Sequence, residues 1–204
     1  MIGVVGGSGG VGASTFAAVL TSVADRATLI DLDPVGGGID VLLGIDDLPG
    51  ARWSGLRTGG GRLDPEVLAA GLPRWNATPV LAADVAPAVE AVGEVVAAAA
   101  ARGPVVLDLP RAPGPLREAG LACCAMCVLV AAATDVRSLT AAAAVLRSLP
   151  DVAVGLVLRR GGFGVAEAVD LLGAPLLGVL PPIDRPAERV ARRVAAGIVD
   201  GIAA

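Results

Sequence analysis

Residues 6–15 read Gly6-Gly7-Ser8-Gly9-Gly10-Val11-Gly12-Ala13-Ser14-Thr15 and follow directly on a short apolar run, Ile2 to Val5. The apolar run predicts a buried strand, and the alanine-rich stretch that begins at Ser14 predicts a helix. A glycine-rich turn between a strand and a helix presents backbone N–H groups and a helix N-terminus to an anion. The stretch therefore indicates phosphate binding, without saying which phosphate compound is bound.

Two interpretations fit this loop equally well. Gly7, Gly9 and Gly12 satisfy the G-x-G-x-x-G pattern of dinucleotide-binding proteins, and Asp31 lies where their ribose-binding acid belongs. The same glycines also fit a degraded P-loop, G-x-x-x-x-G-K-[ST], in which Ser14 is the Mg²⁺-binding hydroxyl and Ala13 occupies the lysine position. The loop alone leaves both an oxidoreductase and a nucleotide-triphosphate-binding protein open.

Aspartates at the ends of two later strands favour the second interpretation. The second apolar strand ends in Asp31-Leu32-Asp33, and a later one ends in Asp108-Leu109-Pro110. An aspartate at the end of an apolar strand is what a Mg²⁺-bound water needs beside a P-loop. A dinucleotide enzyme has no use for this third aspartate together with Ser14.

The composition narrows the possible chemistry further. The chain has 204 residues, with 16 basic and 20 acidic side chains and a formal net charge of -4, and every basic residue is arginine. Without histidine or lysine, the sequence excludes a Ser-His-Asp or Cys-His site, a histidine-ligated metal and a Schiff-base lysine. Hydrophobic residues make up 54% and aromatic residues only 2%, so we expect an aliphatic core. The length and the lack of a linker predict a single domain over residues 1–204.

Short apolar runs alternate with helical stretches along the chain. The predicted strands are Ile2–Gly6, Ala27–Leu32, Pro79–Ala82, Pro104–Leu109, Met126–Ala132, Ala153–Leu158 and Pro175–Leu180. The predicted helices are Ser14–Ala24, Pro65–Leu72, Ala86–Ala101, Pro115–Cys123, Arg137–Leu149, Gly164–Leu172 and Pro186–Gly197. This alternation is typical of a doubly wound α/β fold, in which helices flank a mostly parallel sheet. Residues 45–76, which hold both tryptophans, follow no such pattern, and we expect these tryptophans to pack over the sheet edge.

On these residues the sequence resembles the MinD/ParA family of deviant P-loop ATPases, and within it the CpaE/TadZ-like and actinobacterial septum-site-determining (Ssd) branch. The resemblance covers nearly the whole chain. It rests on the loop ending G-G-V-G-A-S-T, the block D-L-D-P-V-G-G-G that starts at Asp31, the D-L-P at Asp108 and the late Pro181-Pro182-Ile183-Asp184. A receiver-like domain usually comes first in that branch, and we expect none within these 204 residues.

The resemblance implies a role for each matching residue. The loop would wrap the phosphates of ATP or ADP with Gly7, Ser8, Gly9, Gly10, Val11, Gly12, Ala13, Ser14 and Thr15. Ser14 would ligate Mg²⁺, Asp31 would hold the water shell of the metal, and Asp108 would lie just beyond its direct ligands. Asp33 would be catalytic and orient the attacking water, and Pro182 and Asp184 would border the adenine.

The sequence departs from the family at its cations. The family's loop has two lysines, and Ala13 and Ser8 stand in their places. A charge-assisted hydrogen bond contributes about 1.5–3 kcal/mol, so each loss would weaken ATP binding or turnover roughly 10- to 150-fold. Arg111 and Arg137 are candidate substitutes, and Arg159 occupies a position where the family often has an adenine-reading asparagine. We therefore expect nucleotide binding with weak or no hydrolysis, with a nucleotide-free pseudo-ATPase scaffold and a dinucleotide oxidoreductase as the alternatives.

The same resemblance implies a spatial regulator concentrated at a pole or the septum. The N-terminal residues lack a basic start and an apolar stretch of signal-peptide length, so we expect a cytoplasmic protein. Family members dimerise with ATP between them, so a homodimer that recruits or inhibits division or pilus-assembly (Tad/Cpa) proteins is expected. Net acidity argues against nucleic acid as a partner. Residues 196–204 lack large apolar anchors, which leaves membrane association through partners only. Cys123, Cys124 and Cys127 are expected to be buried small side chains, because zinc needs four ligands.

Overall fold

The computed structural model describes residues 1–57, 63–182 and 188–203. In chain order the elements are β1 (Ile2–Gly6), α1 (Ala13–Val23), β2 (Thr28–Asp31), α2 (Ile39–Leu43), a 3₁₀ turn (Trp53–Gly55), α3 (Pro65–Gly71), β3 (Arg74–Trp75), β4 (Thr78–Leu81), α4 (Val89–Ala100), β5 (Val105–Asp108), α5 (Pro115–Ala122), β6 (Met126–Ala132), α6 (Val136–Arg147), β7 (Ala153–Arg159), α7 (Val165–Leu172), β8 (Leu176–Leu180) and α8 (Glu188–Ala203).

The strands form one sheet in the order β3-β4-β2-β5-β1-β6-β7-β8. Every pairing is parallel except that of β3 with β4. The chain crosses from β1 to β2 over the intervening β5, so the loops after β1, β2 and β5 leave the same edge of the sheet next to one another. The expected doubly wound, mostly parallel α/β fold is confirmed, and the order places the glycine loop beside both aspartate-bearing strand ends.

Two aliphatic cores cover the two faces of the sheet. On one face α1 and α8 pack around side chains such as Phe16, Leu20 and Ala195. On the other face α3 to α7 pack around side chains such as Val92 and Leu139. The central strands are buried on both sides, which explains their near-continuous apolar sequence.

Three elements differ from the sequence prediction. The hairpin β3–β4 pairs Arg74 with Pro79 through a tight turn, and a two-residue strand is too short to show a period of two. Helix α2 follows the glycine run and ends at Gly44, which is in the left-handed conformation. A helix of five residues is too short to show a helical period in the sequence, so it was not predicted. Helix α8 continues to Ala203, past the predicted end at Gly197, because no proline or helix-capping geometry interrupts it. Its predicted start at Pro186 lies outside the described residues.

The predictions for the tryptophans and the cysteines can be compared with the structure. Trp75 is half-buried on the edge strand β3, as expected for packing at the sheet edge. Trp53 is buried against the end of β2, an inner strand, and so does not pack at that edge. Cys127 is fully buried as expected, whereas Cys123 and Cys124 are only half-buried. Burial raises the pKa of Cys124 and of Cys127 to about 12, so neither is a ready thiolate. Across the described ranges, no helix is both long and apolar enough to cross a membrane.

Candidate functional site

A cavity of about 720 Å³ lies at the edge of the sheet where β1, β2 and β5 end. Of the predicted loop, residues 8–15 line it, and so do Asp31, Asp33 and Asp108. The structure therefore brings together residues that lie almost a hundred positions apart in the sequence. We expected this grouping because the carboxyl ends of parallel strands share one edge, where open α/β sheets bind their ligands.

Gly7 differs from the rest of the predicted loop because it does not line this cavity. Its N–H donates to the carbonyl of Val130 at 2.8 Å, and a Cβ at Gly7 would lie 2.7 Å from the Cβ of Ala142. The glycine is required by the close approach of the loop to β6 and α6. Its contribution is to seat the loop on the sheet.

The loop ends at the N-terminus of α1. Gly12 is the capping residue, with a φ of 89° in the left-handed region, and its carbonyl accepts the first helical bond from the Phe16 N–H at 3.0 Å. The N–H groups of a first helical turn have no partner inside the helix and carry the positive end of its dipole. Together with the lining glycines they form a cradle for an anion.

Asp31 is held rigidly at the end of β2. Its Oδ1 accepts from the Asp33 N–H at 2.8 Å, and its Oδ2 accepts from the Ala83 N–H at 3.3 Å. The Trp53 indole Nε1 donates to the backbone carbonyl of Asp31 at 2.8 Å. The side chain is almost fully buried, and this burial raises the pKa of Asp31 to about 6 although the N–H donors lower it.

Asp108 lies directly beside Asp31, because β2 and β5 are neighbours and the two residues are paired in register. Burial, followed by the negative charge of Asp31, raises the pKa of Asp108 to about 8, whereas its interaction with the Ser14 hydroxyl lowers it. None of the ion pairs among the described residues involves either carboxylate. The two buried carboxyl groups thus lack a partner cation among these residues and lie next to a hydroxyl. Such oxygen atoms are the donors that a hard divalent cation requires.

This donor set would supply only part of the coordination sphere of a magnesium ion, and waters and a bound phosphate would supply the rest. Within the described ranges, no group of three or more acidic or thiol side chains is arranged to bind a metal by itself. Mg²⁺ usually takes one or two protein oxygens and completes its octahedron with waters and substrate phosphates. Ser14, Asp31 and Asp108 beside an anion cradle meet that requirement. Asp33 also lines the cavity, and its Oδ1 accepts from the Val35 N–H at 3.1 Å.

The cations around the site are arranged differently from the prediction. Arg111 lines the cavity but is exposed, and Arg137 is an exposed residue of α6 outside the lining. Arg159, which the sequence indicated only as a base-reading position, is buried against the loop and donates from Nε to the Val11 carbonyl at 3.0 Å. The signal that the sequence offered was an arginine at the end of an otherwise apolar strand, where a buried charge needs a partner.

A second, apolar cavity of about 320 Å³ adjoins the first and shares Gly12 and Thr15 with it. Phe16, Trp75 and Leu180 are among its walls. Pro182 lines neither cavity, although the neighbouring Pro181 carbonyl accepts from Arg159 at 3.1 Å. Asp184, the other predicted adenine neighbour, lies outside the described residues.

Comparisons with known proteins support the fold. No family model matches the sequence. An uncharacterized protein of Mycobacterium tuberculosis (strain H37Rv) is 39% identical over 204 residues, which covers 93% of this chain and 57% of that protein. The chain thus spans little more than half the length of this curated relative.

Solved structures of two kinds superpose on nearly the whole chain. The cell division ATPase MinD of Pyrococcus furiosus matches with a TM-score of 0.74 and 20% identity over 98% of each chain. A ParA family ATPase from Chlorobium tepidum matches with a TM-score of 0.71 and 17% identity over 98% of this chain and 91% of that one. MinD of Pyrococcus horikoshii, solved with Mg-ADP, matches with a TM-score of 0.71 and 19% identity over 99% and 96%. The chain has the fold of the MinD and ParA P-loop ATPases.

Proposed function

We propose that this chain binds ATP and ADP with Mg²⁺ and uses the nucleotide as a conformational ligand, with weak or no hydrolysis. The loop residues 8–15 would hold the phosphates, and Ser14, Asp31 and Asp108 would hold the metal and its waters. Asp33 would orient water, but the two lysines that drive turnover in the family are replaced by Ser8 and Ala13.

The observation that carries this proposal is the pairing of Asp31 with Asp108 across adjacent strands, facing Ser14 and the glycine loop. Two carboxylates of raised pKa in one buried place are unfavourable unless a cation joins them. An anion cradle beside a cation site is the arrangement that a metal–polyphosphate complex needs. Among nucleotides, this favours a di- or triphosphate with its magnesium.

The strand order argues against the dinucleotide oxidoreductase. In dinucleotide-binding sheets β2 lies beside β1, so that the acid at its end reaches the ribose. Here β5 separates β1 from β2, and both carboxylate oxygens of Asp31 already accept backbone N–H groups. The end of β2 therefore lies one strand further from the glycine loop than the ribose-binding acid of a dinucleotide-binding sheet does.

The cellular role that we infer is that of a spatial regulator of the MinD/ParA kind, in septum-site control or in placing pilus assembly, as in the CpaE/TadZ and Ssd branch. The match to MinD in a MinC:MinD complex of Aquifex aeolicus supports a division protein as partner.

Exposed apolar side chains at the cavity rim support a homodimer closed over the nucleotide, since Val35 is 88%, Val41 62% and Leu42 51% exposed. Light scattering with Mg-ATP, for the native chain and for Val35→Asp, tests the dimer.

Parallel titration with fluorescent analogues of ATP and NADH separates the three functions. We expect saturable binding of the ATP analogue that requires Mg²⁺ and is lost in Asp108→Asn, with no NADH binding. Binding of the NADH analogue alone would establish the oxidoreductase, and binding of neither would establish the scaffold. Asp170→Asn, which changes an acid on α7 and outside both cavities, is the matched control and should bind as the native chain does.

A further inference from the structure

A buried arginine supports the glycine loop from behind. Arg159 is the last residue of β7, and only 7% of it is exposed. Its Nε donates to the Val11 carbonyl at 3.0 Å and its Nη1 donates to the Pro181 carbonyl at 3.1 Å. The side chain therefore ties the loop after β1 to the segment after β8, which lies far from it in sequence.

The charge of this arginine has no counter-ion within the described part of the chain. Both acceptors are neutral carbonyls, and none of the ion pairs in these residues includes Arg159. Desolvation lowers its pKa, and no carboxylate offsets that effect. An arginine stays charged even when it is buried, so this site holds a positive charge that an anion nearby would stabilise.

The guanidinium also touches the loop backbone directly. A Cβ at Gly12 would lie 2.8 Å from the Nη2 of Arg159, so a side chain there would push the guanidinium away from the loop, and the φ of 89° also favours glycine. The Val11 carbonyl that accepts from Arg159 belongs to the same peptide group as the Gly12 N–H. A hydrogen bond to a carbonyl polarises its peptide group, and this makes the N–H a stronger donor.

We propose that Arg159 is the positioning residue that supplies the positive field of the phosphate site, acting through the Val11–Gly12 peptide in place of the two missing loop lysines. This inference rests on the proposed nucleotide function. The rival cation, Arg111, is exposed at the cavity, where a charge contributes little because solvent screens it. Arg159 is fixed by two hydrogen bonds in a site of low dielectric constant, where its field acts strongly on an anion.

The proposal distinguishes charge from shape. A field acting on phosphates affects a ligand in proportion to its phosphate charge, whereas a purely structural role of Arg159 would weaken every ligand of the site alike. Removing the charge should therefore weaken inorganic tripolyphosphate and ATP strongly, ADP less, and adenosine hardly at all. Arg159 lines the second, apolar cavity and not the cavity that loop residues 8–15 line, so it acts on bound phosphates from behind the loop and favours the bound state without restoring turnover.

The test measures the binding of magnesium tripolyphosphate, ATP and adenosine by calorimetry to the full chain, to Arg159→Gln and to Arg160→Gln. Arg160 is the exposed neighbour, and its substitution removes the same charge without a contact to the loop. We expect Arg159→Gln to lose about 10-fold or more in affinity for tripolyphosphate and ATP. Arg160→Gln should stay within about 3-fold of the native chain, as expected for a screened surface charge.

Circular dichroism establishes that each variant is folded. Should Arg159→Gln not fold, citrulline placed at position 159 by nonsense suppression replaces it, since this uncharged residue keeps the shape of arginine, its Nε–H and one of its two terminal NH2 groups. Equal tripolyphosphate affinity of the native and uncharged chains would overturn the inference while leaving the nucleotide function intact, and so would an equal loss for adenosine. Failure of the native chain to bind either ATP or tripolyphosphate would instead overturn the proposed function itself.

Discussion

The Trp53 indole donates a 2.8 Å hydrogen bond to the backbone carbonyl of Asp31, so a tryptophan from an irregular segment fixes the end of the strand that carries the candidate metal-binding acid. Both residues are buried, Trp53 to 6% and Asp31 to 2% exposed. The segment around the short 3₁₀ turn is therefore a brace for the site. It explains why one of only two tryptophans in the sequence lies there.

Replacing Trp53 with phenylalanine should destabilise the protein by about 1–3 kcal/mol, because the buried Asp31 carbonyl then loses its partner. Urea denaturation followed by circular dichroism measures the change. Trp75→Phe is the matched control, since Trp75 is only half-buried and its indole makes no such bond to the described residues, and it should cost less than about 1 kcal/mol. Equal stability of Trp53→Phe and the native chain would show that the brace contributes nothing.

The stability of the metal-free protein should fall as the pH rises from about 4 to about 8. Burial raises the pKa of Asp31 to about 6 and that of Asp108 to about 8, from an ordinary value of 3.8. In this window the folded chain keeps protons that the unfolded chain has released, and stability decreases with pH wherever the folded state binds more protons. One retained proton gives a slope of about 1.4 kcal/mol per pH unit.

Urea denaturation at a series of pH values measures this slope, and the sequence simplifies its interpretation because it contains no histidine. Asp108→Asn should remove most of the decrease between about pH 6 and pH 8. A stability that is constant or rises over this interval in the native chain would contradict the buried acid pair.

Restoring a lysine at position 13 should strengthen ATP binding. A lysine ammonium on the phosphates adds a charge-assisted hydrogen bond, so Ala13→Lys is expected to raise the affinity for Mg-ATP roughly 10- to 150-fold. Ala13→Met is the control of similar length without the charge. An affinity that does not change in Ala13→Lys would mean that the loop residues 8–15 do not hold the phosphates as proposed.

The parts of the fold and of the site that the sequence predicted are those with local patterns. The spacing of the apolar runs predicted the parallel strands, which the structure confirms. Loop residues 8–15 and the aspartates Asp31, Asp33 and Asp108 line one cavity, whereas Gly7 does not. The Trp53–Asp31 bond, the role of Gly7 against Ala142 and the contact of Arg159 with the loop depend on residues brought together only by tertiary packing. No local pattern encodes such contacts, although a buried arginine at a strand end is a signal that it needs partners.

The expectation of weak or no hydrolysis follows from the lack of a cation in the loop. The phosphate cradle and the acid pair lie together at one cavity, whereas Ser8 and Ala13 leave the loop without a side-chain cation of its own. A cation that acts on the transition state of phosphoryl transfer contributes about 10³–10⁵ in rate. A cation behind the loop, such as Arg159, favours the bound nucleotide without contributing this factor.

Calorimetric titration of the full chain with ATP and with ADP, at millimolar Mg²⁺ and with phosphate release followed on the same sample, tests the central claim most directly. We predict that both nucleotides bind, that binding is lost without Mg²⁺, and that phosphate release stays near background. Absence of binding by either nucleotide, or turnover within the range of roughly 1–10³ s⁻¹ that is typical of enzymes, would contradict it.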